Sequence, residues 1–105
     1  MKQITPEELK LSMDMGNLPT LLDVRETWEY EICHIDHSIN ISMALIPARL
    51  AELNPDQEIV VICHHGVRSL QIASYLEAMG YTNISNLKGG IDAWASTVEP
   101  VMTQY

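Results

Sequence analysis

Cys63 is followed by His64, His65, Gly66, Val67 and Arg68, and the group stands between a run of β-branched residues and a helical pattern. A structural cysteine is a small hydrophobe at home inside an apolar run. One at the exit of a strand, before a glycine turn, an arginine and a helix start, reads as a reactive thiol. Gly66 permits a short turn whose successive backbone N–H groups point inward as an anion-binding nest. The following helix adds its unpaired N–H groups and the positive end of its dipole. Such donors favour a thiolate over a thiol and would also hold an anionic group delivered to the sulfur. Arg68 can aim a fixed positive fork at that anion or brace the loop. The histidine pair can donate to substrate or stabilise the thiolate, although at neutral pH imidazoles are mostly uncharged.

The surrounding elements must place this loop. "EIVVIC" is apolar on successive residues, which predicts a strand buried on both faces. "SLQIASYLEAMG" predicts a helix with Leu70, Ile72, Ala73, Leu76 and Met79 on one broad face and Gly80 as its stop. Thr5-Pro6-Glu7-Glu8 is a helix start with a threonine cap and proline at the first helical position. That first helix carries Leu9, Leu11, Met13 and Met15 in loosely helical spacing and stops at Gly16-Asn17. "TLLDV", "SINI" and "NISNL" read as further strands. "TWEYEICHI" and "GGIDAWAS" read as short helices, and Met43 to Leu53 as helix around Pro47, which can start a second short helix. The tail after Pro100 carries no pattern. Strands alternating with helices predict an α/β fold with a mostly parallel sheet and helices on both faces. Ligands bind beyond the carboxyl ends of such strands, where Cys63 falls.

The 105 residues fit one domain, 1–105, with a single core. Fourteen acidic against six basic residues give a formal charge of −8, which argues against nucleic acid or an anionic membrane as partner. No apolar stretch is long enough to span a bilayer, and the first residues lack a signal-peptide core. Two cysteines are too few for a disulfide framework, so a reducing cytoplasm is the expected setting.

Three segments in order resemble the rhodanese sulfurtransferase family, in its single-domain form. "LLDVRETWEYEICHIDHSINI" resembles the family's D-V-R, E-Y, G-H-I and A-x-N-I blocks. "CHHGVRS" resembles its active-site loop of Cys, four residues, Arg and Ser. "NLKGGIDAW" resembles its closing L-x-G-G-x-x-x-W block. The resemblance runs from about Thr20 to Trp94 and implies a five-stranded, largely parallel α/β fold. It implies that Cys63 carries a persulfide, taken from a small anionic donor such as thiosulfate and passed to cyanide, a thiol or a protein acceptor, with no cofactor. Backbone N–H groups from His64 to Arg68 would bind the transferred charge. The same resemblance puts His34 on the supporting scaffold, away from the loop. Two departures stand out. His64-His65 occupies a place where many thiosulfate-using members carry a basic residue after the cysteine, and Cys33 stands where the family commonly has glycine.

Asp23, Arg25 and Glu29 read as a buried or half-buried ion-pair brace under the loop, not as acid–base groups. Trp28 and Trp94 read as core, and Cys33 as a buried structural cysteine instead of a resolving thiol. Cys33-His34-x-x-His37 and Cys63-His64-His65 supply six metal donors, but without the paired spacing of a zinc knuckle, and no metal is expected. A relay or docking module of the same fold is the alternative to an enzyme. A phosphatase or arsenate reductase is disfavoured, because relatives of that kind place five residues between Cys and Arg where this loop has four.

Overall fold

The computed structural model describes residues 1–105 as a five-stranded sheet of order β1-β5-β4-β2-β3, with every neighbouring pair parallel. The strands are β1 (Lys2–Ile4), β2 (Thr20–Asp23), β3 (Ile39–Asn40), β4 (Ile59–Ile62) and β5 (Ile84–Leu87). The helices are α1 (Pro6–Asp14), α2 (Thr27–Ile32), α3 (Val67–Ala78) and α4 (Gly90–Thr97). The sheet is thus wholly parallel, and β4, the strand that delivers Cys63, lies at its centre.

Strand β4 shows why its run is uniformly apolar. Val60 and Ile62 pack on one face with Leu9 of α1 and Ile91 and Trp94 of α4. Ile59, Val61 and Cys63 pack on the other, with Ile72, Ala73 and Leu76 of α3. A central parallel strand covered on both sides loses its polar alternation for this reason. Thr5 caps α1 reciprocally: its hydroxyl accepts from the Glu8 N–H at 3.1 Å and its own N–H donates to Glu8 Oε1 at 2.9 Å. Such a cap contributes about 1 kcal/mol.

Four expectations need correction. Strand β1 was not foreseen, because a three-residue edge strand reading Lys-Gln-Ile carries no apolar run. Met43 to Leu53 forms two 3-10 segments, Met43–Leu45 and Pro47–Glu52, and Arg49 leaves helical geometry with φ −114°. Of the α3 residues expected on one buried face, Leu70 and Met79 are exposed; only Ile72, Ala73 and Leu76 reach the sheet. Trp94 is core, but Trp28 is 60 % exposed, because the short helix α2 turns Glu29 inward instead.

Burial sorts the leucines by cost. Leu22 is fully buried, so Leu22→Ala should lower unfolding free energy by about 2–5 kcal/mol in urea titration. Leu18 is exposed, and Leu18→Ala should stay within about 0.5 kcal/mol of the parent.

Candidate active site

Cys63 leaves the end of β4 with 1 % of its surface exposed. Its Sγ receives the Gly66 N–H at 3.0 Å and faces the Ser69 hydroxyl at 3.3 Å. The turn that makes this possible runs through Gly66 at φ +97°, a left-handed conformation that costs a residue with a side chain. Gly66 is also tightly enclosed: a Cβ there would lie 3.2 Å from the Gly89 nitrogen. The loop is stapled from the other side by the start of α4. Ile91 N–H donates to the Cys63 carbonyl at 2.8 Å and Asp92 N–H to the His64 carbonyl at 3.1 Å. Gly90 sits against those two carbonyls with no room for a Cβ. Gly90 therefore serves close backbone approach, whereas a side chain on Gly89, at φ +77°, would run into that of Ala93.

Asn86 of β5 anchors the floor. Its Nδ2 donates to Gln3 Oε1 at 3.0 Å and to the Gly66 carbonyl at 3.3 Å, while its Oδ1 accepts from Ser69 Oγ in a short hydrogen bond. The sequence shows Ser69 only as the last residue of the loop motif, and it gives Asn86 no role. An asparagine in the middle of a strand buried at every position was the available signal.

Arg68 does not point freely at the loop. It grips Glu29 with both terminal nitrogens, Nη1 to Oε1 at 2.6 Å and Nη2 to Oε2 at 2.8 Å. That bidentate pair, aided by the Glu26 N–H and the Tyr105 hydroxyl, holds the Glu29 carboxyl down at about 2. Arg25 is fully buried. Its Nε and Nη2 bind Asp23, Nη2 also reaches the Cys33 carbonyl at 2.6 Å, and Nη1 donates to the Tyr105 hydroxyl at 2.9 Å. No buried side-chain nitrogen or oxygen is left without a partner.

Tyr105 was invisible in the sequence and is central here. Its hydroxyl accepts from Arg25 and donates to Glu29 Oε2 at 2.9 Å. Its ring stacks on His64, with centroids 3.9 Å apart and planes within 10°, and meets the edge of Trp28 at 6.1 Å. Burial and the Glu29 carboxylate, against the pull of Arg25, push its hydroxyl up to about 12, so it is a neutral donor at physiological pH. His64 is shifted down, chiefly by burial and then by His65, whose ring lies 4.0 Å away. The histidine that follows Cys63 is therefore an uncharged ring near neutrality.

The remaining expected residues fall as follows. Val67 opens α3 and is exposed, and His65 is exposed. His34 stacks on Tyr30 and its Nδ1 pairs with the Tyr30 carbonyl at 2.7 Å, so its contacts stay within the α2 region. Cys33 is only partly buried, not fully as expected. It lines a closed crevice with His64, Asp92 and Tyr105, which places it under the tail and beside the loop's first histidine. Both cysteines are free thiols.

The parallel α/β architecture that carries the Cys-x4-Arg sequence has counterparts among known proteins. The rhodanese-like domain model matches residues 5–97, and the chain belongs to that family. It is 31 % identical over 96 residues to the thiosulfate sulfurtransferase GlpE of Pseudomonas syringae, covering 91 % of this chain and 89 % of that protein. It is 38 % identical over 104 residues to the probable adenylyltransferase/sulfurtransferase MoeZ of Mycobacterium tuberculosis. There it spans 97 % of its own length but 26 % of the relative's. The crystal structure of a rhodanese-related protein from Thermoplasma volcanium superposes with a TM-score of 0.86 at 32 % identity, covering 95 % of this chain and 96 % of that one. No helix of the chain is long and apolar enough to cross a membrane.

The Glu29 pair carries a pH dependence with a definite sign. Its folded-state pKa lies below the ordinary carboxylate value of 4.5, so the stabilisation is present above that value and is lost as the pH falls toward about 2. Glu29→Gln should therefore be less stable than the parent in urea at pH 7, with the gap narrowing steadily between pH 4.5 and 2.5. A gap independent of pH would remove the carboxylate charge from the explanation.

Proposed function

We propose that the protein transfers sulfane sulfur through a persulfide on Cys63. The observation that carries this reading is the setting of Sγ, which receives the Gly66 N–H and faces the Ser69 hydroxyl at the carboxyl end of the central strand. The Cys63 thiolate attacks the outer sulfur of a donor. With thiosulfate, the donor's S–S bond breaks and sulfite leaves with the bonding pair, giving Cys63–S–S⁻. An acceptor nucleophile, cyanide or a thiolate, then attacks the terminal sulfur. The Cys63 thiolate departs as leaving group and is ready for another cycle. Sulfur changes hands by two displacements of this kind, which is covalent catalysis with ping-pong kinetics and needs no cofactor. Donors fixed before the reaction stabilise the charge on the terminal sulfur without reorganising.

The charges around the loop bear on the donor. The Arg68 guanidinium is already matched by Glu29, and the ring of His64 is held neutral. A small dianion such as thiosulfate thus meets few uncommitted positive charges, on a chain of formal charge −8. A persulfide on a larger carrier meets an open groove of about 490 Å³ beside Arg68, with Met43, Pro47, Ile72 and Tyr75 in its wall. That groove favours the relay reading, in which sulfur comes from or goes to a thiol carrier.

Intact mass of the reduced protein, before and after a donor, is the decisive test. Thiosulfate or a persulfide donor should add about one sulfur atom that cyanide removes and that Cys63→Ser never acquires. Failure with both donors would overturn persulfide chemistry; charging by the persulfide alone would select the relay. Arg68→Ala should reduce kcat/KM for thiosulfate by less than about tenfold, because its charge is engaged by Glu29. A loss of a hundredfold or more would mean that Arg68 leaves Glu29 to hold the donor.

A further inference from the structure

The spacing of Cys63-His64-His65 lacks the pairing of a zinc knuckle and predicts no metal. The fold adds a third donor that the spacing does not reveal. Asp92, in the first turn of α4, comes beside them, and one donor atom from each of the three lies within 4.8 Å of the others. We propose that His64, His65 and Asp92 form a binding site for a zinc-class divalent cation beside the Cys63 loop.

Four observations carry this. First, the donor set of two imidazoles and a carboxylate suits zinc and its neighbours among the transition metals, and it leaves a fourth position for water or an anion. Second, the backbone that carries the donors is fixed in advance. The Asp92 N–H bonds the His64 carbonyl at 3.1 Å, the Ile91 N–H bonds the Cys63 carbonyl at 2.8 Å, and Gly90 is wedged against both. Third, the Asp92 carboxylate is uncommitted: none of the chain's ion pairs includes it. Fourth, the face of His64 is held against Tyr105, which limits the ring's freedom. Metal–nitrogen bonds of about 2.0–2.1 Å require tetrahedral donors about 3.3 Å apart. Rotation of the exposed His65 and the half-buried Asp92 side chains closes the difference from the present spacing on binding.

A cation there would place positive charge next to a nucleophile whose nearest arginine is occupied by Glu29. The proposal does not depend on persulfide chemistry, and its test is chosen accordingly. Zinc chloride is titrated calorimetrically into wild-type protein and into Cys63→Ser, which has no nucleophile to charge. Both should bind one zinc per chain. His65→Ala and Asp92→Asn, each in the Cys63→Ser background, should weaken binding at least tenfold, whereas Cys33→Ser and His37→Ala should not. Absence of saturable uptake, equal uptake in the His65 and Asp92 variants, or dependence on Cys33 and His37 would overturn the proposal. Binding by the wild type alone would also overturn it, by assigning the metal to the Cys63 thiolate.

Discussion

The buried guanidinium of Arg25 is the constraint around which the site is organised. A charge taken wholly out of water must have its donors satisfied, or the fold loses several kcal/mol. Satisfying this one draws in Asp23 from the end of β2, backbone carbonyls of Glu29 and Cys33 from α2 and its exit, and the hydroxyl of Tyr105. Once α2 is drawn in, the Glu29 carboxylate faces Arg68 from the first turn of α3. The Cys63 loop is therefore braced by a chain of charges that begins at the end of the neighbouring strand, β2. Geometry and not added strength is what this brace supplies, since buried ion pairs seldom exceed well-packed apolar contacts in stability.

The consequence for chemistry is a division of labour between charge and dipole. Arginine at the end of a Cys-x4-Arg loop reads on paper as an anion clamp. In the folded chain its fork is spent on Glu29, and the sulfur accepts from the Gly66 amide, with the Ser69 hydroxyl, engaged by Asn86, beside it. Dipoles held rigidly by Asn86, Gly66 and the start of α4 can serve any transferred sulfur, whatever carries it. A net positive cup would have favoured the smallest and most highly charged donors.

Legibility followed the range of the interactions. The β4 run, the glycine after Cys63 and the α3 pattern are local features, and the sequence sufficed to place Cys63 at the exit of a buried strand and to identify the parallel α/β architecture. The Asp23–Arg25 half of the expected brace could be anticipated because charged residues flanking a buried strand must find partners, but the Glu29 carboxylate pairs with Arg68 and offers Arg25 only its backbone carbonyl. What escaped depends on contacts distant in sequence. Tyr105 acts on residues 80 and 76 positions earlier, and no local periodicity marks a tail that folds back. Asp92 likewise joins the histidine pair only because α4 docks its N-terminus on the loop. Trp28 misled because a helical position in a six-residue helix says little about which side faces inward.

The two tryptophans end up in opposite environments. Trp94 is enclosed, and its indole nitrogen donates to Glu99 at 3.1 Å, while Trp28 stands in solvent with its edge against Tyr105. The chain thus contains two optical reporters of different events. The emission of Trp94 tracks the integrity of the core, and that of Trp28, red-shifted and open to aqueous quenchers, tracks whether the tail lies on the loop. Movement of the tail is separable from unfolding in one fluorescence spectrum, with no label added.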